Sequence, residues 1–409
     1  MKSPSGLRSA TLRTVAQRQP DTGAWAEWVG STVQDLEERC LLRTLRPMDP
    51  ARDSATRVHL ADHAGPVVVF AANDYLGLSS HPEVRAAASA AALAYGSGPR
   101  GSALLCGYTG AHRALEEELA ALKGCDEALL FPTGFAANLS VMGTFLTSSD
   151  CALFSDELNH ASIVDGARLA VKSTGASLHI YRHNDLQHLE SLLSASRAPR
   201  KLIVSDSIFS MDGDCADVVG LAGLRKRYGA LLCLDEAHAT LVYGARGGGL
   251  AEASGLCDAV DLHVGTLSKA FGSHGGFVGC SAQMKSLLLS KGRAGIYSTA
   301  LPLPAVAAAS AALRAATAER RNRLWTNVAA FASASALPAT SPIVPLIVGS
   351  AERALDAARE LLGRGYLVPA VRPPTVPAGS ARLRLAFSAA HEEGEVRALV
   401  SAMRDLGLV

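Results

Sequence analysis

Short apolar runs alternate along the chain with longer stretches in which apolar residues recur at the spacing of an α-helix. Each apolar run has the length of a β-strand, and the stretches between them are typical of amphipathic helices. Strands that are apolar throughout indicate a mainly parallel sheet whose two faces are both covered by helices. The runs that we predict as strands are 128–131, 151–154, 178–181, 202–204, 230–234, 262–264 and 277–280.

The pattern changes twice along the chain, which predicts three parts. Residues 1–66 form an N-terminal segment with a predicted helix at 22–45. Residues 67–301 hold the seven strands and form a large α/β domain. Residues 302–409 form a smaller α+β domain, in which we predict helices at 305–318 and 354–364, strands at 343–348 and 383–387, and a final helix.

A carboxylate and a lysine stand at the ends of two predicted strands. Asp235 follows the run 230–234, and Lys269 follows the run 262–264 after Gly265 and Thr266. Ligands of parallel sheets gather at the carboxyl ends of the strands. A lysine amine forms an imine with an aldehyde, and an aspartate keeps a pyridine nitrogen protonated. The pair predicts a pyridoxal phosphate site with a covalent imine on Lys269, although a solvated lysine and a helix-capping aspartate are the ordinary alternatives.

Gly134 and Phe135 follow the run 128–131 and open a predicted helix. The first N–H groups of a helix have no partner within the helix and bind phosphate well, and glycine permits close approach of the backbone. We therefore predict that these two residues bind the cofactor phosphate, with a plain strand-to-helix turn as the alternative.

Composition narrows the class of protein. The chain has 409 residues, 48% of them hydrophobic and 19% charged, and a formal net charge of +1. We therefore expect no nucleic-acid partner, and without a long uncharged apolar stretch we expect no membrane span. The eight cysteines lack C-x-x-C spacing, which favours reduced thiols, a cytoplasmic location and no metal site. The basic residues Lys2, Arg8, Arg13 and Arg18 predict a basic tail, with an organelle import signal as the weaker alternative.

Several stretches resemble the α-oxoamine synthase family of pyridoxal phosphate enzymes, in family order and over nearly the whole chain. The resemblance implies a fold-type I transferase that forms homodimers with shared active sites, in which 297–299 reaches into the partner. The matching stretches are 73–78, Gly107-Tyr108 with His112, 133–138, 159–162, 209–214, the Asp235 and Lys269 segments, and 372–377.

The same resemblance assigns roles around the cofactor. His160 would stack on the ring, His238 would hydrogen-bond the ring hydroxyl oxygen, and Ser210 would help to fix the ring. Thr266 would reach the phosphate, and Thr299 would join the cofactor site. The implied catalytic set is Lys269, Asp235, His160 and His238.

The resemblance also implies the substrates. Arg384, with Asn73 and His160 nearby, would face the carboxylate of the amino acid, and Arg43 would bind the acyl end. Thr375 and Arg372 lie in or beside the segment 372–377, which is similar to members that condense L-alanine with a pimeloyl thioester and release carbon dioxide.

Two alternatives stay open at this point. A sibling synthase would make 2-amino-3-ketobutyrate, 5-aminolevulinate or a sphingoid base, and a non-catalytic homologue would only bind the cofactor. The acyl carrier, coenzyme A or a carrier protein, is also open.

Overall fold

The computed structural model describes residues 23–52 and 54–409, and the chain divides into two compact units, Met1–Arg46 and Pro47–Val409. In the first unit the described residues contain the helix α1 (Ala24–Glu38). This helix is shorter than the predicted 22–45 because the backbone turns at Cys40, whose φ of 53° is left-handed. The predicted basic tail lies outside the described residues, and the role predicted for its charge stays a prediction.

The described residues of the second unit form three sheets. Its strands are β1 (Asp49–Pro50), β2 (Arg57–His59), β3 (Val67–Val69), β4 (Glu127–Phe131), β5 (Cys151–Asp156), β6 (Ser177–Tyr181), β7 (Arg200–Asp206), β8 (Leu231–Asp235), β9 (Leu262–Thr266), β10 (Gly276–Cys280), β11 (Ile343–Gly349), β12 (Tyr366–Leu367), β13 (Ala370–Val371) and β14 (Ala381–Ala386).

The helices of the second unit mostly lie between these strands in the sequence. They are α2 (Pro82–Tyr95), α3 (Gly110–Lys123), α4 (Gly134–Phe145), α5 (Ala161–Thr174), α6 (Leu186–Ala195), α7 (Val218–Tyr228), α8 (Leu250–Ala253), α9 (Ala282–Lys291), α10 (Arg293–Ile296), α11 (Leu303–Ala315), α12 (Ala318–Ser335), α13 (Ala351–Gly363) and α14 (Glu393–Asp405).

The seven predicted strands of the large domain form one sheet, the central sheet, in the order β4-β10-β9-β8-β7-β5-β6. The pairs among β9, β8, β7, β5 and β6 are parallel. Only β10 is antiparallel to its two neighbours. The loop between β9 and β10 is short. A strand parallel to β9 would require a longer crossover connection, so β10 pairs with β9 in the antiparallel direction. The prediction of a mainly parallel seven-stranded sheet is confirmed.

Both faces of the central sheet are buried, as the apolar strands predict. Val204 and Cys233 pack with residues of α4 and α5 on one face, while Ile203 and Leu232 pack with residues of α6 and α7 on the other. Neighbouring residues of a strand point to opposite faces, so a strand covered on both sides must be apolar at every position.

The C-terminal part has the predicted α+β elements, with the helix α12 and the short strands β12 and β13 in addition. The helix predicted at 305–318 ends at Ala315, and a second long helix, α12, follows where we had predicted no element. Thr317 caps α12 by accepting from the backbone N–H of Arg320, so the sequence breaks one helix and starts another there. The strands β11, β14 and β13 form an antiparallel sheet. The domain boundaries at 66 and 301 stay predictions.

A buried ion pair joins α3 to the segment that follows β8. Lys123 Nζ lies 2.8 Å from Glu236 Oε2, and neither side chain is exposed. The ammonium also donates to Thr240 Oγ1 and to the carbonyl of Gly248. Burial alone would raise the pKa of Glu236, but the charge of Lys123 and the hydrogen bond from His263 lower it to about 2. The pair holds the chain immediately after Asp235.

We expect Lys123→Met to lower the free energy of unfolding by about 3–5 kcal/mol, because it leaves the Glu236 carboxylate buried and uncompensated. Urea unfolding at pH 7 measures the change. The folded pKa of Glu236 lies below its ordinary 4.5, so its stabilising contribution is present above pH 4.5 and is lost as the pH falls towards 2. The difference between wild type and variant should therefore shrink in acid.

The double variant Lys123→Met/Glu236→Leu is the control, because it removes both charges and keeps similar volumes. It should be more stable than the single variant. Equal unfolding midpoints for the single and the double variant would contradict the importance of the unpaired charge.

Candidate active site

The candidate site lies at the carboxyl end of the central sheet, where three neighbouring strands end in polar residues. Asp206, Asp235 and Thr266 are the last residues of β7, β8 and β9, and all three are buried. Asp206 and Asp235 are partners in the parallel register, so the two strands end level. This is the edge at which the sequence predicts a ligand.

Two cavities open at this edge and share four lining residues. The inner cavity, with a volume of about 230 Å³, is lined by eight of the residues predicted to bind the cofactor: Gly134, Phe135, His160, Ser210, Asp235, His238, Thr266 and Lys269. The outer cavity shares His160, Ser210, His238 and Lys269, and adds Asn73, Arg168, Thr375 and Arg384. Most of the predicted site residues therefore lie in one continuous space.

Lys269 lies in the loop after β9 and points into both cavities. Its Nζ lies 2.8 Å from Nε2 of His238. Burial of the amine lowers the pKa of Lys269 to about 8, although Asp235 and Asp206 act in the opposite direction. A larger fraction of this amine is neutral near pH 7 than for an exposed lysine, which favours both attack on a carbonyl and acceptance of a proton.

Asp235 keeps its carboxylate in a fixed orientation. Its Oδ2 accepts a hydrogen bond of 2.7 Å from the Asn138 side chain, and its Oδ1 accepts one of 2.9 Å from the backbone N–H of Ala237. Asn138, which also donates to Ser162, is a site residue that we missed in the sequence. The signal was present, because a buried asparagine one turn after Gly134 would face the same cavity as the helix start.

His238 is buried and has a partner at each ring nitrogen. Lys269 lies at Nε2, and the hydroxyl of Tyr75 lies 2.6 Å from Nδ1. Burial lowers the pKa of His238 well below its ordinary value, and the charges of Lys269 and Arg384 lower it further. The imidazole is therefore neutral, with one donor and one acceptor nitrogen. Tyr75 is a second contact that the sequence prediction missed.

The start of α4 lies beside Thr266 at one end of the inner cavity. Thr133 caps the helix by accepting from the backbone N–H of Ala136. A Cβ on Gly134 would lie 3.3 Å from the Cβ of Thr266, so glycine lets the helix start approach β9 closely. Ser268 lies 2.7 Å from the Thr266 hydroxyl. Helix N–H groups and two hydroxyls at one end of a cavity suit a phosphate.

His160 lies at the open side of the inner cavity as the N-cap residue of α5. Its backbone N–H donates to Asp206 Oδ2 at 2.9 Å, and its Nδ1 lies 2.7 Å from the Ser162 hydroxyl. The ring of Phe135 meets it edge-on, with centroids 6.4 Å apart. These contacts fix the imidazole of His160 where the inner and the outer cavity adjoin.

Arg384 brings a buried cation from the C-terminal sheet to the outer cavity. Its Nε donates to the carbonyl of Ser210 at 2.5 Å, and its Nη2 donates to Asn73 Oδ1 at 3.2 Å. Thr375 lines the same cavity from the segment after β13. A guanidinium held in this way suits a carboxylate.

Two predicted residues of the second unit, Thr299 and Arg372, line neither the inner nor the outer cavity. Thr299 lines a separate, mostly apolar cavity with Tyr108 and Phe131, so within one chain it does not reach the cofactor residues. Arg372 follows β13 and is not among the residues that line the inner or the outer cavity. Arg43 belongs to the first unit. The roles of all three stay predictions.

The residues of the inner cavity fit pyridoxal phosphate. Asp235 offers an acceptor for a protonated ring nitrogen, His238 a hydrogen-bonding nitrogen for the ring oxygen, and Lys269 an amine for the aldehyde. The start of α4 with Thr266 offers the phosphate site at the other end.

The described residues 23–52 and 54–409 contain no helix long and apolar enough to cross a membrane.

Comparison with known proteins agrees with this chemistry. The family described as aminotransferase class I and II matches residues 65–403. The 8-amino-7-oxononanoate synthase of Arabidopsis thaliana is 50% identical over 352 residues, covering 82% of this chain and 74% of the relative. That of Anaeromyxobacter dehalogenans is 46% identical over 385 residues, covering 92% and 94%.

The fold comparison includes a sibling enzyme. A serine palmitoyltransferase solved with pyridoxal phosphate as an internal aldimine has a TM-score of 0.86 and covers 95% of this chain and 100% of its own. It is only 29% identical, so the shared fold and cofactor are clear while the sequence is closer to the first group. The chain belongs to the 8-amino-7-oxononanoate synthase family, whose members are pyridoxal phosphate-dependent acyltransferases within the class I and II aminotransferases.

Proposed function

We propose that Lys269, Asp235, His238 and Arg384 carry the reaction of this family on L-alanine and a pimeloyl thioester. The products are 8-amino-7-oxononanoate, carbon dioxide and the free thiol of the carrier. The observation that supports this assignment most directly is that Lys269 and Asp235 line one cavity from the ends of the adjacent strands β9 and β8. A scaffold that only bound the cofactor would need no carboxylate-binding arginine beside them.

When bound, pyridoxal phosphate supplies an aldehyde for imine formation and a ring that accepts the electron pair of a carbanion. Asp235 would accept the hydrogen bond of the protonated ring nitrogen, and its two existing hydrogen bonds keep the carboxylate oriented for that role. His238 would contact the ring oxygen through Nε2. Both contacts would stabilise the ring with a protonated nitrogen, which is the form that accepts electrons.

Lys269 would act first as the covalent attachment point and then as the base. Its pKa of about 8 keeps a useful fraction of the amine neutral, so it can take the α-proton of alanine. His238 at 2.8 Å limits where this amine can lie. Lys269 would thus take up and return a proton at its Nζ.

Arg384 would bind the carboxylate of alanine from the outer cavity. Its bonds to Ser210 and Asn73 leave the guanidinium oriented towards the space that Lys269 also lines. Holding the amino acid at its carboxylate, with His160 as one wall, fixes which bond at Cα faces the amine of Lys269. The carboxylate is later lost as carbon dioxide.

We also propose a homodimer with shared active sites. The residues that line the cavity around Thr299 include several exposed apolar side chains, such as Leu104 and Tyr108, and the neighbouring Leu105 and Tyr297 are 84% and 72% exposed. Exposed apolar side chains grouped in this way favour a protein contact. A second copy would let Thr299 reach the partner's cofactor site.

Lys269→Ala should lose the near-visible absorbance of the enzyme-bound imine and all turnover, because no other amine occupies the inner cavity of the described chain. Borohydride reduction of wild type followed by peptide mass spectrometry should find the pyridoxyl label on Lys269. Lys172→Ala, on α5 outside both cavities, is the matched control and should keep label and activity. A label on a different lysine would disprove the assignment.

Asp235→Asn keeps the shape of the side chain but removes its charge. We expect exchange of the alanine α-proton to slow by roughly 10²–10³, the size of losing one oriented polar contact of about 2.7–4 kcal/mol in an active site. Proton NMR in deuterated buffer measures the exchange. Asp217→Asn, which keeps the cap of α7 far from both cavities, should exchange at the wild-type rate; an unchanged rate in Asp235→Asn would refute the role.

The choice of substrates tests the function itself. Wild-type protein should use alanine in preference to glycine and serine, and pimeloyl-coenzyme A in preference to heptanoyl-coenzyme A, which lacks the distal carboxylate. A site that pairs that carboxylate with an arginine should discriminate by roughly 10- to 150-fold, from about 1.5–3 kcal/mol for a hydrogen bond to a charged group. Equal use of the two thioesters would count against the assignment.

Arg43→Ala should then raise KM for pimeloyl-coenzyme A and reduce this discrimination, with alanine binding unchanged. Arg168→Ala is the informative comparison, because Arg168 is exposed on α5 and lines the outer cavity. Loss of discrimination in Arg168→Ala alone would move the acyl-carboxylate site from Arg43 to α5.

A further inference from the structure

A continuous line of hydrogen-bonding groups connects the catalytic lysine to the arginine of the outer cavity. Lys269 Nζ lies 2.8 Å from His238 Nε2, and His238 Nδ1 lies 2.6 Å from the Tyr75 hydroxyl. That hydroxyl lies 3.3 Å from Asn73 Oδ1, which accepts from Arg384. Tyr75 stands in the middle of this line and touches neither cavity.

We propose that Tyr75 is a positioning residue, whose hydroxyl sets the tautomer of His238 and through it the protonation of Lys269. The proposal goes beyond the assignment of Lys269 and His238, because it gives a role to a side chain that contacts neither substrate nor cofactor. The effect that we expect on turnover rests on the proposed function, whereas the effect that we expect on the pKa of Lys269 does not.

The Tyr75 hydroxyl is suited to this role because it stays protonated and has no access to water. The side chain is fully buried. Burial raises the pKa of Tyr75 to about 12, against the lowering effect of Arg384. A neutral phenol both donates and accepts a hydrogen bond. The hydrogen bond between the Tyr75 hydroxyl and His238, at 2.6 Å, is stronger than the contact of 3.3 Å with Asn73 Oδ1. The Asn73 oxygen also already accepts a hydrogen bond from Arg384.

Two arrangements of protons satisfy the buried histidine. When Lys269 is an ammonium it donates to Nε2, so His238 must carry its proton on Nδ1 and donate it to Tyr75. When Lys269 is neutral, His238 can carry the proton on Nε2 while Tyr75 donates to Nδ1. Phenylalanine at position 75 would satisfy neither, because Nδ1 would be buried without a partner, which is costly.

The hydroxyl supports both arrangements, but in the first it accepts a hydrogen bond from a histidine that is polarised by the ammonium of Lys269, and hydrogen bonds in such a charged chain are the stronger ones. Removal of the hydroxyl should therefore penalise the charged form more and lower the pKa of Lys269. The other charges that face this amine are Asp235 and Asp206, which raise its pKa, and Arg384, which lowers it. Tyr75→Phe changes none of these charges. The ring also packs in the hydrophobic core beside Leu76, and phenylalanine keeps that packing.

The test is the titration of Lys269 in the cofactor-free full-length protein. The rate of acetylation of Lys269 by acetic anhydride is followed against pH by peptide mass spectrometry. In Tyr75→Phe the midpoint should fall by about one pH unit, the size of one hydrogen bond to a charged group. Tyr181→Phe removes an equally buried hydroxyl at the end of β6, outside both cavities, and should leave the midpoint unchanged.

A second variant keeps the test valid if Tyr75→Phe does not fold. Monofluorotyrosine incorporated at position 75 retains a hydroxyl that burial keeps protonated but makes its oxygen a weaker acceptor, so the Lys269 midpoint should fall in the same direction by less. In the holoenzyme, Tyr75→Phe should move the acid limb of the kcat–pH profile to lower pH by about the same one unit, because that limb reports loss of the Lys269 proton, with KM for alanine changed less than about threefold. An unchanged Lys269 midpoint in the position 75 variants, or an equal shift in Tyr181→Phe, overturns the proposal.

Discussion

The in-register parallel pairing of β7, β8 and β9 is the constraint on which the site depends. Because Asp206 and Asp235 are register partners and β9 ends beside them, three polar groups reach the same edge without any of them interrupting a strand. The rest of each strand can remain apolar and buried on both faces. A slip of one residue would turn Asp235 towards the opposite face of the sheet and leave a carboxylate inside a hydrophobic core.

Acidic and basic side chains lie buried together at this edge of the central sheet. Burial shifts their pKa values towards the neutral form of each group. Asp206 is buried beside Asp235, and burial followed by repulsion from Asp235 raises the pKa of Asp206 well above its ordinary value. Lys269 is pushed the other way by burial. The result is a lysine whose pKa of about 8 lies closer to neutrality than that of an exposed lysine, and a neutral His238 between this lysine and Tyr75. These are the states that proton transfer at a cofactor requires.

The strands, and the positions of Asp235 and Lys269 at the ends of two of them, were predictable from sequence because their signals are local. An apolar run has strand length on its own, and Asp235 and Lys269 each follow such a run directly. Asn138 and Tyr75 were missed, although the position of Asn138 one turn after Gly134 indicates the cavity that it faces, because the partner of either residue is unknown until the distant segment that meets it is known. Their partners, Asp235 and His238, lie 97 and 163 residues away. The break between α11 and α12 was missed because alanine-rich helices give a weak periodic signal.

The arginine of the outer cavity shows how far such long-range contacts govern function. Arg382 and Arg384 lie two apart on β14 and therefore face the same side of the C-terminal sheet. Arg382 binds Asp212 and the carbonyl of Met211, while Arg384 binds the carbonyl of Ser210. The two side chains hold the segment after β7 against the C-terminal sheet, and the second also contacts Asn73, 311 residues away. The proposed carboxylate site is therefore complete only when the C-terminal sheet is packed in place, so under the proposed function recognition of the amino acid depends on the folding of the C-terminal part of the chain.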